Sequence, residues 1–187
     1  MNEEVQIYLD EAKESMDKAL AHLSYELGKI RAGKASTGML EGVMVDYYGA
    51  PTPLNQVANV NTPDARTIII QPWEKSVISA IERGIINANL GLAPTNDGII
   101  IRLTVPPLTE ERRRELVKKT KGEGENAKVS IRNIRRDVNA GIKDLQKDGL
   151  PEDMAKDAET KVQNITDKHI ARVDELLVEK EKDIMTV

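Results

Sequence analysis

The chain has 187 residues, of which 40% are hydrophobic and 31% charged, with a net charge of −4 and no cysteine. This excludes disulfides, thiol nucleophiles and cysteine-ligated zinc, and no apolar run approaches the roughly eighteen residues a transmembrane helix needs. With no Phe, one Trp and four Tyr, a base-stacking platform is hard to build, so any contact with RNA should be electrostatic.

The first residues, Met1-Asn2-Glu3-Glu4-Val5, lack the basic flank and apolar stretch of a secretory signal and the arginine-rich character of a transit peptide. A cytoplasmic location is expected. From there Val5, Leu9, Ala12, Met16, Leu20, Leu23, Leu27 and Ile30 recur in three- and four-residue steps, which predicts a long amphipathic helix with a bundle-like seam, ending near Gly33. Val43, Val45 and Tyr47 then alternate with Met44, Asp46 and Tyr48, predicting a strand, and Gly49-Ala50-Pro51-Thr52-Pro53 reads as a break. A second strand is expected around Gln56–Val60, a turn at Thr62-Pro63-Asp64-Ala65, and a buried strand over Arg66–Gln71. Lys75 to Leu90 has helical spacing, Gly91 to Gly98 closes it, and Ile99, Ile101, Leu103 and Val105 return to alternation. Residues 34–107 therefore read as a compact β/α/β insertion.

Pro106-Pro107 stops the last strand, and Thr109 is a good cap for a helix opening on Glu110-Glu111. Its apolar positions, Leu116, Ala127, Ile131, Ile134, Val138, Ile142 and Leu145, carry it to Asp148-Gly149, with Gly122-Glu123-Gly124 marking a bend or a close packing contact. Pro151 suits the first turn of a third helix with a seam from Met154 to Ile184. The first helix can bury its stripe only against the two later ones, so the expected fold class is α+β. Its main body is an elongated three-helix bundle of residues 1–33 and 108–187, interrupted by the insertion. Gly33, Lys34 and Ala35 on one crossing, and Val105, Pro106 and Pro107 on the other, are the expected hinge.

Charge is distributed unevenly along this plan. Residues 110–147 carry 12 Lys/Arg against 7 Asp/Glu, whereas residues 148–187 carry 6 against 11. Lys128, Arg132, Arg135, Arg136 and Asn139 share one face of the second long helix, with Arg112-Arg113-Arg114 at its start and Arg31 and Lys34 after the first helix. Guanidinium forks match phosphate oxygens in two-point contacts, so the stripe suits a folded RNA backbone. The same pattern also fits a solvated face paired with Glu123, Glu125, Asp137 and Asp144. His22 and His169 lack metal-pair spacing and read as surface or core-edge residues. No carboxylate pair suggests catalysis.

Four motifs in register carry a resemblance: Arg31-Ala32-Gly33-Lys34-Ala35-Ser36, Tyr47-Tyr48-Gly49-Ala50-Pro51-Thr52-Pro53-Leu54, Pro106-Pro107-Leu108-Thr109-Glu110-Glu111-Arg112-Arg113, and Ile131-Arg132-Asn133-Ile134-Arg135-Arg136-Asp137. Together they resemble the ribosome recycling factor family over essentially the whole chain. The resemblance implies an L-shaped, transfer-RNA-like molecule without cofactor or enzymatic activity, expected to be a monomer. It implies binding to the post-termination 70S ribosome, chiefly to large-subunit ribosomal RNA, and subunit splitting with elongation factor G, which hydrolyses the GTP. The positions it assigns to ribosomal RNA are Arg31, Lys34, Arg112, Arg113, Lys128, Arg132, Arg135 and Arg136. Relatives commonly have Arg where this chain has Lys34 and Lys128, and lysine keeps the charge but loses the fork. A helical module that occupies the subunit interface without recycling, and a hydrolase or nuclease, are the alternative readings.

Overall fold

The computed structural model describes residues 2–186. The chain folds into two compact units, one made of the residues up to Ala32 and from Glu110 onward, the other of Gly33–Thr109.

The first unit is three helices, α1 (Glu3–Lys29), α3 (Glu110–Lys147) and α4 (Glu152–Met185), with α2 (Ile78–Asn87) belonging to the second unit. Asn2 caps α1, its side-chain oxygen accepting from the N–H groups of Glu4 and Val5, and Glu3 and Glu4 sit where the positive helix end favours acids. The seam read from the sequence is buried from Val5 to Leu27, apart from a half-buried Leu20. The helix stops at Lys29, earlier than Gly33, because Ile30 turns to an extended conformation while staying buried. Tyr8 of α1 lies against Gly141 of α3, and Gly124 of α3 against Leu177 of α4. His169 of α4 meets Asp17 of α1 at 2.7 Å. These pairings make α3 antiparallel to both neighbours and α1 parallel to α4. At about 1.5 Å per residue, α3 is about 57 Å long. Pro151 stands at the N-cap of α4. The buried hydroxyls of Thr120 and Thr166 donate to the carbonyls of Leu116 and Val162, so neither leaves an unmet polar group in the seam.

The second unit has its own aliphatic core, from Leu40, Val43 and Val45 through Ile68, Ile70, Ile81 and Ile85 to Ile101 and Leu103. Strands β3 (Ala58–Asp64), β4 (Thr67–Pro72), β5 (Pro94–Asn96) and β6 (Ile101–Thr104) form an antiparallel sheet of order β3-β4-β6-β5. A hairpin, β1 (Met44–Tyr47) with β2 (Ala50–Pro53), packs beside α2 (Ile78–Asn87). The close fit of α2 to β1 depends on Gly84, where a β-carbon would stand 2.6 Å from the Met44 carbonyl oxygen.

Four expectations need correction. Residues 50–53 are a strand and not a break. The Tyr47–Ala50 pair flanks a two-residue loop and is therefore hydrogen-bonded, which puts Pro51 and Pro53 at positions where no ladder N–H is required. β3 runs through Thr62 and Pro63 to Asp64, absorbing them in a register shift after Asn61. Lys75–Val77 is a 3-10 turn before α2, and the stretch after α2 contains β5.

Candidate nucleic-acid interface

At about 100° of rotation per residue, Lys128, Arg132, Arg135 and Arg136 fall within roughly a 100° arc of α3, while Ile131, Val138 and Ile142 are buried on another side. The same arc also takes in Arg114, Lys118, Lys121 and Lys143, so the basic face runs most of the helix length. The sequence pattern hides Lys118, Lys121 and Lys143, because Gly122-Glu123-Gly124 interrupts the apolar seam that sets the helical phase and the acids beyond Asn139 mask the stripe. The helix is unbroken there.

The cations of this face are partly paired. Arg132 meets Glu125 at 3.2 Å and Arg136 lies 3.8 Å from Asp137. Such solvent-exposed pairs are worth about 0–1 kcal/mol, less than charge-assisted contacts from a guanidinium to phosphate, so an RNA backbone can displace these acids. Lys128 differs. It is mostly buried against α4, 2.6 Å from Asp174, and ties two helices together. Arg135 donates to Gln163 at 3.2 Å, and Gln163 donates in turn to Asp167 at 2.8 Å. Among the described residues no ion pair is formed by Lys118, Lys121 or Lys143.

The structure does not bring Arg112 or Arg113 onto this face. Arg112 points to nearly the opposite side of α3 and pairs with Glu115 at 2.8 Å, and Arg113 is half-buried, its Nε enclosed without a hydrogen-bond partner. Arg31 is exposed just beyond α1, at the same end of the bundle as those two, since α1 and α3 are antiparallel. Lys34 belongs to the second unit and is half-buried.

The six positions read as a hinge all lie in the second unit. Ala35 donates its N–H to the Ala65 carbonyl and Val105 donates to that of Arg66, both at 2.7 Å, so the two crossings are fastened side by side to the β3–β4 turn. Gly33 has φ +71°, and a β-carbon there would stand 2.5 Å from Leu108 Cγ. Glycine takes that backbone without strain, and any β-carbon there would have to displace the Leu108 side chain. Pro106 and Pro107 are exposed.

No group of three or more His, Asp or Glu among the described residues could hold a metal ion, and no helix is long and apolar enough to cross a membrane.

A helical bundle interrupted by a separately cored α+β domain, with a basic face along one helix, defines a class of two-domain proteins with a candidate docking surface. The family model for ribosome recycling factor matches residues 23–185. Ribosome-recycling factors of Amoebophilus asiaticus and Porphyromonas gingivalis are each 54% identical over 185 residues, covering 99% and 98% of this chain and all of theirs. That of Cytophaga hutchinsonii is 55% identical over 99% of this chain and all of its own. The chain belongs to the ribosome recycling factor family, translation factors that are not enzymes. A solution structure of the ribosome recycling factor superposes with a TM-score of 0.72 at 40% identity, covering both chains completely. A second match has a TM-score of 0.59 at 41% identity over 97% of this chain and 99% of the other. It belongs to models of the T. thermophilus factor and E. coli elongation factor G bound to the E. coli post-termination complex.

Proposed function

We propose that this chain binds the post-termination ribosome in the cytoplasm as a monomer and, with elongation factor G, splits the subunits and frees the messenger RNA. The reading is carried by the α3 face, whose cations stand where a phosphate backbone could lie along the rod. Arg132, Arg135 and Arg136 form its centre, Lys128 contributes least because Asp174 holds it, and Arg114, Lys118, Lys121 and Lys143 extend it. The related factor bound together with elongation factor G on a post-termination complex supports the choice of partners. The two crossings, Gly33-Lys34-Ala35 and Val105-Pro106-Pro107, act as the hinge by which the second unit turns binding into work.

The test is a splitting assay with purified ribosomes and elongation factor G. Arg135→Ala is expected to weaken ribosome binding and lower the salt dependence of log affinity by about one unit of slope, with stability lowered by no more than about 1 kcal/mol, the size of its hydrogen bond to Gln163. An introduced cysteine pair, one thiol on each unit and the only thiols in the chain, is expected to leave binding intact and abolish splitting when oxidised. Normal binding by Arg135→Ala would make the stripe a solvated face, and full splitting by the locked chain would remove the hinge from the mechanism. Binding without any splitting would favour a factor that only occupies the subunit interface.

A further inference from the structure

The second unit has no counterpart of the basic face. What its surface carries is aromatic. Three of the chain's five aromatic side chains, Tyr47, Tyr48 and Trp73, fall on two of its segments, outside an otherwise aliphatic core. Tyr47 rests against that core, whereas Tyr48 is 72% exposed and Trp73 59%. Large exposed aromatics are informative because Tyr and Trp dominate the few side chains that carry interface affinity.

Tyr48 is also strained. It takes the first loop position of the β1–β2 hairpin with φ +51°, and Gly49 follows at +87°. Positive φ at both positions of a two-residue loop is the type I′ pattern, for which Asn, Asp or Gly is the ordinary first residue. The ring is held in place from several sides. The Tyr48 hydroxyl donates to Glu74 Oε2 at 2.8 Å and lies 3.1 Å from Ser76 Oγ. The Tyr47 hydroxyl donates to Glu74 Oε1 at 2.7 Å. The two rings stand edge to face, 4.7 Å between centroids. Asp46 Oδ1 accepts the Gly49 N–H at 2.8 Å. Apart from the half-buried Tyr47 these residues are solvent-exposed, and bonds of this kind are too weak to require a tyrosine where Asn would fit the turn better. The arrangement presents the ring; the turn does not need it.

The surroundings select what the ring can meet. Each Glu74 oxygen has accepted one hydroxyl and keeps acceptor capacity. The two hydroxyls hold that carboxyl below its ordinary value, so it is ionised at neutral pH. Asp46 adds a second carboxylate, and Lys75 is the single cation of residues 44–53 and 73–77. A phosphate backbone would face like charge here, whereas a guanidinium would find an aromatic face beside an anion.

We infer that the Tyr47–Tyr48–Glu74 cluster is a docking point for an arginine side chain of a protein partner, which on the recycling function proposed above is elongation factor G.

The experiment measures, for the full-length chain, its affinity for post-termination ribosomes alone and the affinity of elongation factor G for ribosomes already carrying it. Tyr48→Asn and Glu74→Gln are expected to leave the first unchanged and to weaken the second about tenfold, the size of a lost cation–π or charged contact. Tyr48→Phe, which keeps the ring face, should weaken it less. Tyr48→Asn should melt no earlier than the parent chain, because Asn suits the turn. Elongation-factor affinity indifferent to both Tyr48→Asn and Glu74→Gln would overturn the inference and leave a hairpin clamp. Loss of ribosome affinity without elongation factor would overturn it in favour of an RNA or ribosomal contact. Tyr48-dependent binding of elongation factor G without any subunit splitting would sink the recycling reading alone; normal splitting with indifferent binding would sink this one alone.

Discussion

Gly122 and Gly124 stand two residues apart in α3 with opposite surroundings. A β-carbon on Gly122 would meet nothing within 4 Å, whereas one on Gly124 would collide with the end of Leu177 from α4. Glycine within a helix costs about 1 kcal/mol relative to alanine, so Gly122→Ala should raise the unfolding free energy by about 0.5–1 kcal/mol. At Gly124 the same propensity gain competes with overpacking of a buried site, typically 1–3 kcal/mol. The atoms met are the end of a half-exposed leucine that can turn aside at some cost, so Gly124→Ala should be less favourable than Gly122→Ala by roughly 1 kcal/mol. Chemical denaturation of both variants checks the pair; equal effects would mean that α4 is not seated on α3 at Gly124. The sequence marks Gly-Glu-Gly as a bend or a close contact and cannot choose, because which glycine faces α4 depends on the register between two helices far apart in the chain. The same limit applies at Gly84, whose need for closeness comes from the Met44 carbonyl forty residues earlier.

At the scale of elements, the long helices were legible because an apolar stripe at helical period over some thirty residues leaves little choice. α3 begins at Glu110 after Thr109, and the buried set in α1 is the stripe with one member half-exposed. The inserted domain was legible in outline only. β2 was hidden by its two prolines, since which backbone N–H groups a ladder needs is decided by pairing and not by composition. β5 was hidden by its length of three residues. The basic face was legible in its centre, but the two arginines that end the family motif at the start of α3 do not join it: Arg112 faces away and Arg113 leans inward. A consequence can be measured. Lys118→Ala and Lys121→Ala, on the face, should each reduce the salt slope of ribosome binding by about one unit. Lys119→Ala, about half a helical turn from Lys128, should leave it unchanged. All three residues are exposed, so stability should shift by less than about 0.5 kcal/mol in each. Equal slopes for Lys119→Ala and Lys121→Ala would mean that net charge matters and its arrangement does not.

Across the whole molecule, the two cores differ in how they should respond to acid. The carboxyls held below their ordinary values all lie in the second unit. Asp64 is lowered chiefly by the Arg66 N–H, Glu74 by the hydroxyls of Tyr47 and Tyr48, and Asp97 by the N–H groups of Ile100 and Ile99. A carboxyl with a lower value folded than unfolded stabilises fully above the unfolded value and loses that contribution as pH falls through the folded one. With ordinary values of 3.8 for Asp and 4.5 for Glu, the loss begins near pH 5 and deepens below 3.8. The shifted groups of the first unit, Lys29 and Arg172, are bases raised above their ordinary values by neighbouring glutamates, whose own titration lies far above that window and adds no pH dependence within it. Two signals separate the units. Trp73 is the only tryptophan and lies in the second unit, whereas far-ultraviolet circular dichroism is dominated by α1, α3 and α4, of 27, 38 and 34 residues against 10 in α2. Between pH 7 and about 3 the Trp73 melting transition should fall to lower temperature faster than the dichroism transition. Asp64→Asn and Asp97→Asn keep an acceptor oxygen and remove the titration, so together they should narrow the separation. Transitions that stay coincident down to pH 3 would mean that the two cores unfold as one cooperative body, and the separate stabilities that a hinged second unit requires would have to be abandoned.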